Sequence, residues 1–104
     1  YEHALKWIKD GIQRFPKEIA FYELFSRYHH EQGRPYDAVG CLKRALTIDP
    51  SHVKSLISLG GLYETIGEFS DAIVYYEKAI KLSPDDPALH ESLNRALKMK
   101  YKKQ

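Results

Sequence analysis

Apolar residues recur along this chain at intervals of three and four, and glycine or proline interrupts them at regular points. This spacing places apolar side chains on one face of an amphipathic helix, because an α-helix has about 3.6 residues per turn. The pattern predicts an all-α chain of six helices, over about 2–14, 18–32, 35–48, 52–66, 69–82 and 87–101. The short connections require neighbouring helices to run antiparallel.

The predicted helix ends carry residues that stop or start helices. Gly33 and Gly67 follow the second and fourth helices, where a left-handed backbone conformation ends a helix at least cost in glycine. Ser51 is predicted to cap the fourth helix, and Asp85 or Asp86 the sixth, because short oxygen-bearing side chains accept hydrogen bonds from the first helical N–H groups.

Identical residues recur at a spacing of 34 positions within this helical pattern. The pairs are Gly33 and Gly67, Asp37 and Asp71, Ala38 and Ala72, Ala45 and Ala79, and Pro50 and Pro84. A repeat of this length is one helix pair that cannot bury its own apolar face, so it must stack on its neighbours. Stacked helix pairs leave much surface exposed, which favours a binding scaffold.

Small residues occupy positions where predicted helices meet. They are Ser26, Ala38, Ala45, Gly60, Ala72 and Ala79. Small side chains allow two helix axes to approach to the lower end of the range of about 8–10 Å. We therefore expect these six residues to lie on packing faces.

The chain resembles the tetratricopeptide repeat (TPR) family. The resemblance is clearest over 53–86, which carries Leu56, Leu59, Gly60, Tyr63, Gly67, Ala72, Tyr76, Ala79 and Pro84 on the family pattern. Residues 19–52 follow the same pattern, with His29 in place of the usual tyrosine and Pro35 in place of the usual aromatic residue. The resemblance implies a TPR superhelix of antiparallel helix pairs, an α-α solenoid.

The same resemblance implies a single TPR domain over 1–104. Its parts are the second helix of a truncated repeat (1–18), two repeats (19–52 and 53–86), and a C-terminal capping helix with a basic tail (87–104). A chain that begins at the second helix of a repeat is typical of a segment cut from a longer array. We therefore expect the first helix to expose an apolar face and to support self-association.

In this family the first helices of successive repeats line a concave groove, which implies a protein–protein interaction module that serves as an adaptor or scaffold segment. The implied groove residues are Arg27, His30, Glu31, Lys54, Ile57, Gly61, Glu64, Arg95 and Lys98. This mixture suits a partner peptide with acidic and apolar side chains. The alternatives are a structural spacer or self-association segment without its own ligand, and a non-catalytic support for an enzyme domain elsewhere in the parent protein.

Some family members clamp the C-terminal carboxylates of heat-shock chaperone tails. Lys54 matches one lysine of that clamp, but Ser58 stands where its arginine is needed and Leu24 where its middle asparagine is needed. The sequence therefore does not predict a chaperone-tail clamp.

Composition and charge limit the classes of partner and the cellular compartment that we expect for this chain. A net charge of +2 over 104 residues does not favour nucleic acid, and no run of apolar residues is long enough to span a membrane. Neither nucleic acid nor a membrane is an expected partner, and the basic lysines near the C-terminus are expected to solvate a helix end. The single cysteine, Cys41, fits a reducing compartment, so we expect a cytoplasmic protein.

No catalytic, metal or cofactor chemistry is predicted. His29 and His30 are adjacent on a helix and point about 100° apart, so they cannot readily share a metal ion. The pattern places no histidine beside Cys41 to activate its thiol. We expect a non-enzymatic chain without a metal or cofactor.

Overall fold

The structure, a computed structural model, describes residues 2–102, with Glu2 described by its backbone alone. Three terminal residues lie outside the described residues, namely Tyr1, Lys103 and Gln104. They belong to the predicted domain and its basic tail. The described part forms six α-helices and no strand: α1 (Glu2–Arg14), α2 (Ile19–Glu31), α3 (Pro35–Ile48), α4 (Val53–Ile66), α5 (Phe69–Leu82) and α6 (Pro87–Tyr101). The all-α prediction and its helix limits are confirmed to within a residue.

The helices form two compact units. The first ends at Pro50 and contains α1 to α3, and the second begins at Ser51 and contains α4 to α6. In the first unit α1 packs on α2 and α2 on α3, and in the second α4 packs on α5 and α5 on α6. The single domain with repeats at 19–52 and 53–86 stays a prediction.

The first unit has its own buried core. The buried side chains are Ile8, Tyr22, Ser26, Ala38, Val39, Leu42 and Ala45. The Ser26 hydroxyl donates a hydrogen bond of 2.9 Å to the carbonyl oxygen of Ala38, which joins α2 to α3. The Tyr22 hydroxyl donates to the carbonyl oxygen of Pro16 at 2.7 Å, so the core tyrosine also holds the connection after α1.

The second unit is packed around α5, which contacts both α4 and α6. The core side chains come from all three of its helices: Ser55, Leu56, Leu59, Leu62, Tyr63, Ala72, Ile73, Tyr76, Ala79, Leu89 and Ala96. A Cβ atom added at Gly60 would lie 2.5 Å from the ring of Tyr76, so α4 and α5 meet where glycine leaves room for an aromatic ring. All six small residues predicted on packing faces are buried.

The helix ends follow the predicted chemistry with one exception. Gly33 and Gly67 have φ angles of 75° and 95°, the left-handed conformation expected after α2 and α4. The Asp86 side chain accepts a 3.0 Å hydrogen bond from the N–H of Ala88 and caps α6. The cap predicted at Ser51 is wrong, because the last residue before α4 is His52, whose Nδ1 accepts from the N–H of Ser55 at 3.3 Å.

Apolar residues at the ends of α1 and α6 are more exposed than those within the helices. In α6, Leu89 and Ala96 are buried, whereas Tyr101, the last residue of the helix, is 52% exposed. In α1, Ile8 is buried, whereas Phe15, the residue after the helix, is 59% exposed. Both exposed residues lie near a helix end, where the neighbouring helix covers less of the surface.

Candidate functional site

The first set of candidate residues lies on α2, in the first unit. Arg27, His30 and Glu31 lie at the surface, and their spacing of three and four residues puts them on one helix face. The adjacent Ser26 is buried and bonded to Ala38. The packing of α2 on α3 therefore directs the three candidates to the surface of this unit.

The second set lies on α4, in the second unit. Lys54 is exposed, while Ile57, Gly61 and Glu64 are half-buried. The intervening positions, which include Leu56, Leu59, Gly60 and Tyr63, are buried in the core. The candidate face of α4 therefore borders its main packing face and combines a cation, an apolar side chain and a glycine.

Two of the predicted partner-binding residues bind each other. Arg95 of α6 donates from Nε to Oε2 of Glu64 and from Nη2 to Oε1 of Glu64, both at 2.9 Å. This is a two-pronged pair between a guanidinium and a carboxylate, which is stronger and more directional than a single ion contact. The Glu64 side chain is only 14% exposed, whereas that of Arg95 is 58% exposed.

Tyr76 extends this pair to a third helix. Its hydroxyl, on α5, donates a hydrogen bond to Oε1 of Glu64, the oxygen that also accepts from Nη2 of Arg95. We call Tyr76, Glu64 and Arg95 the triad. Because its members come from α5, α4 and α6, the triad fixes side chains from every helix of the second unit.

The electrostatics of the triad follow from these bonds. The hydrogen bonds from Arg95 lower the pKa of Glu64, although burial of the carboxyl group opposes them. Burial, together with the hydrogen bond to the Glu64 carboxylate, raises the pKa of Tyr76 to about 12. The same carboxylate raises the pKa of Arg95 above its usual value. At neutral pH the triad therefore holds an ionised glutamate, a protonated tyrosine and a charged arginine.

An open depression of about 580 Å³ lies in front of α6. Its lining residues are Glu91, Asn94, Arg95, Lys98, Met99 and Lys102. Met99 presents an apolar side chain that is 41% exposed. The depression therefore offers cations and an apolar contact on one helix face, next to the triad.

Glu64 and Arg95 were each predicted from the sequence as partner-binding residues, whereas their pairing and the hydrogen bond from Tyr76 were not. The 34-residue repeat contains the signal that could have found the pair. Arg95 lies one repeat after Gly61, and Gly61 is one helical turn before Glu64. In stacked repeats, residues at equivalent positions are neighbours, so an arginine at this offset comes within reach of the glutamate.

Other chemistry is limited in the described part of the chain. Between residues 2 and 102 there is no group of three or more histidine, cysteine, aspartate or glutamate side chains that could hold a metal ion. Burial raises the pKa of the Cys41 thiol to about 11, so it is protonated and a poor nucleophile at neutral pH. None of the described helices has the length and hydropathy needed to cross a membrane.

Comparison with known proteins places this geometry in a family. The family model for the tetratricopeptide repeat matches residues 53–86, which cover α4, α5 and the turns that follow them. A solved thermophilic TPR protein from Thermus thermophilus superposes with a TM-score of 0.84 at 26% identity, over 92% of this chain and 49% of that chain. The chain belongs to the tetratricopeptide repeat family. Its TPR fold makes it a protein-interaction module of the helical repeat class.

One sequence relative and one further structure of the same fold are informative. The protein O-mannosyl-transferase TMTC1 of Mus musculus is 33% identical over 94 residues, which are 86% of this chain and 10% of that protein. The first TPR of Spaghetti (RPAP3), solved bound to the HSP90 peptide SRMEEVD, has a TM-score of 0.80 at 14% identity, over 88% of this chain and 72% of that chain. The chain thus spans only about a tenth of the mouse relative.

Proposed function

We propose that this TPR chain is an adaptor segment of a larger cytoplasmic protein. In this proposal it holds a partner peptide or domain on α2, α4 and α6, the helices that carry the predicted groove residues. The proposed binding residues are Arg27, His30, Glu31, Lys54, Ile57, Gly61, Glu64, Arg95 and Lys98. The observation that carries the proposal is the set of exposed cations on these helices, Arg27 on α2, Lys54 on α4, and Lys98 with Arg95 in the open depression on α6. The single cysteine supports a reducing compartment.

The first TPR of Spaghetti (RPAP3) supports a peptide ligand, because that protein has the same fold and was solved with an HSP90 peptide. The identity of that peptide does not carry over to this chain. Ser58 and Leu24 occupy the positions where the chaperone-tail clamp needs arginine and asparagine. We therefore propose a peptide-binding surface with a different partner.

The test compares proteins captured from a cell lysate by three forms of the chain. They are the original, the double variant Arg27→Glu with Lys54→Glu, and the control Arg44→Glu with Lys81→Glu. The control makes the same charge change at exposed residues of α3 and α5, one in each unit. Circular dichroism first establishes equal helicity.

We expect mass spectrometry to identify proteins held by the original and the control and lost by the Arg27 and Lys54 variant. Each such protein is then purified and titrated against all three forms. Identical sets of captured proteins, or none, contradict the proposal and favour a structural spacer without a ligand of its own.

The second candidate function is self-association through α1. Trp7 and Phe15 are each 59% exposed, and both lie against the ring of Phe21, at centroid distances of 5.3 Å and 6.3 Å. An exposed aromatic surface of this kind favours contact with another apolar surface. Sedimentation equilibrium should show concentration-dependent dimers that Trp7→Glu abolishes and Val74→Glu, an exposed apolar control on α5, preserves. A monomer at every concentration contradicts this candidate.

A further inference from the structure

We infer that Arg95 is a carboxylate receptor held in a fixed orientation by Glu64 and Tyr76, and that its ligand is an acidic peptide segment that also carries an apolar side chain. The inference rests on the function proposed above and assigns the triad residues different parts in it. Arg95 contacts the partner, whereas Glu64 and Tyr76 are positioning residues that act through Arg95.

The geometry of the guanidinium supports this division. Glu64 accepts hydrogen bonds from Nε and Nη2 of Arg95, along one edge of the planar guanidinium group. Both Nη1 N–H groups and the second Nη2 N–H are not used by Glu64. One Nη1 N–H and the second Nη2 N–H form the end of the guanidinium, the edge that can bind a carboxylate with two parallel hydrogen bonds.

The solvent exposures of Glu64 and Arg95 agree with the roles proposed for them. Glu64 is 14% exposed and accepts from both Arg95 and Tyr76, so its oxygens are largely used within the protein. Arg95 is 58% exposed and lines the α6 depression. A partner that approaches α6 therefore meets the arginine and not the glutamate.

Fixing Arg95 in advance reduces the cost of binding. An arginine side chain that is mobile before binding loses rotamer freedom when it is immobilised, so part of the binding free energy is lost to ordering it. The two bonds to Glu64 already restrict the Arg95 side chain in the unbound protein. The triad therefore favours a ligand whose carboxylate fits the orientation that Glu64 imposes.

The rest of the depression indicates the ligand's other groups. Lys98 on α6 and Lys102 directly after the helix also line the depression and add positive charge, against which Glu91 adds one negative charge. Met99 supplies a flexible apolar contact beside them. Charge complementarity thus selects a segment with several carboxylates, and Met99 selects an apolar side chain among them.

The experiment measures fluorescence anisotropy with two labelled peptide probes. The acidic probe is acetyl-Gly-Glu-Glu-Leu-Glu-Glu-Gly-amide, and its counterpart has glutamine in place of every glutamate and therefore carries no carboxylate. Four forms of the chain are titrated: the original, Arg95→Gln, Glu64→Gln and Glu91→Gln. The last two remove the same charge beside the same depression, but Glu91 is not the acceptor in the bonds from Arg95.

We expect the acidic probe to bind the original about tenfold more tightly than the glutamine probe, and Arg95→Gln to remove that difference. The decisive comparison is between the two glutamate variants. If Glu64 positions Arg95, Glu64→Gln weakens acidic-probe binding although it removes a repelling charge, whereas Glu91→Gln leaves binding equal or tighter. Equal or tighter binding by Glu64→Gln overturns the inference, as does equal binding of the two probes.

Tyr76→Phe provides a second variant should Glu64→Gln fold poorly. It retains the ring packed against Gly60 and removes only the hydroxyl that donates to Glu64. Weaker binding of the acidic probe with unchanged total charge supports positioning, and unchanged binding contradicts it. A negative result with these probes leaves capture through Arg27 and Lys54 unaffected, so failure here is distinguishable from failure of the proposed function.

Discussion

At the scale of single residues, close helix contacts depend on glycine placed against an aromatic ring. Gly60 of α4 faces Tyr76 of α5, and Gly11 of α1 faces Phe21 of α2. In both places an added Cβ would clash with the ring, so the absence of a side chain sets the distance between the helices. Tyr76 can therefore fill the space at Gly60 and still direct its hydroxyl to Glu64.

We expect Gly60→Ala to lower the free energy of unfolding by about 1–3 kcal/mol, because the new methyl group overpacks the contact with Tyr76. Gly61→Ala is the matched control in the same helix. A Cβ there would lie 4.0 Å from the Tyr76 hydroxyl, an ordinary contact. Alanine at position 61 should raise the free energy of unfolding by up to about 1 kcal/mol through its greater helix propensity. Urea unfolding followed by circular dichroism measures both, and equal effects contradict the prediction.

We expect His29 to make the stability of the first unit depend on pH. Its ring lies 4.3 Å from that of Phe25, and its Nδ1 accepts a hydrogen bond of 3.3 Å from Nε of Arg34. Burial lowers the pKa of His29, while the nearby Asp37 opposes the shift and Arg34 and Lys9 reinforce it. Protonation of Nδ1 would remove the acceptor and place a cation beside Arg34.

Because the pKa of His29 is lower in the folded state, the unfolded chain takes up its proton at higher pH. The stabilisation from His29 is therefore complete well above the ordinary pKa of 6.5 and is lost as the pH falls below it. We expect a smaller free energy of unfolding at about pH 5.5 than at about pH 7.5, and His29→Phe should reduce this dependence. His30→Phe, which removes the neighbouring histidine and retains His29, should preserve it. A dependence unchanged by His29→Phe would refute this assignment.

At the scale of helices, local side-chain chemistry defines where each element begins and ends. Gly33 and Gly67 end α2 and α4 with a left-handed conformation, and Pro35 and Pro87 begin α3 and α6. The N–H groups of Gly67 and Glu68 both donate to the carbonyl oxygen of Tyr63, which satisfies a backbone group left unpaired at the end of α4. These ends position the candidate faces of α2, α4 and α6.

The cap of α6 gives a prediction with a neighbouring control. Asp86→Ala removes the acceptor for the N–H of Ala88 and should lower the free energy of unfolding by about 1 kcal/mol. Asp85→Ala changes an exposed residue just before the cap and should stay within about 0.5 kcal/mol of the original. Thermal unfolding of both variants tests this. If Asp85→Ala destabilises the chain as much as Asp86→Ala, charge near the helix start matters and the cap bond does not.

At the scale of the whole molecule, packing is local in sequence. Within each of the two units, successive helices pack on each other, and each unit has its own buried side chains. Contacts between residues close in sequence require little loop-closure entropy before they form. Repeat chains of this kind are stabilised by each helix pair and its nearest neighbour.

Such local packing predicts fast folding. We expect the main refolding phase within microseconds to milliseconds, the range of helical proteins with low contact order. Temperature-jump or stopped-flow fluorescence of the single tryptophan, Trp7, reports on the first unit, and far-ultraviolet circular dichroism on both. A minor phase of tens of seconds is expected from proline isomerisation in the unfolded chain. A main phase slower than about a second would contradict the local-packing argument.

The sequence by itself determined the six helices, their ends at Gly33 and Gly67, and the buried small residues of the repeat. These features depend on hydrophobic periodicity and backbone conformation, which neighbouring residues dictate. The helix cap predicted at Ser51 failed because two adjacent polar residues, Ser51 and His52, could each have been the last residue before α4. A shift of one residue decides the cap but barely changes the apolar pattern.

Only the tertiary structure decided which charged residues meet. The sequence predicted Glu64 and Arg95 on one surface, but their two-pronged pair and the hydroxyl of Tyr76 depend on how α4, α5 and α6 pack together. Long polar side chains can adopt many rotamers, and which one is populated depends on partners far away in the sequence. Periodicity thus identifies the exposed face of a helix, whereas packing determines which of its charges are already paired and which remain to contact a partner.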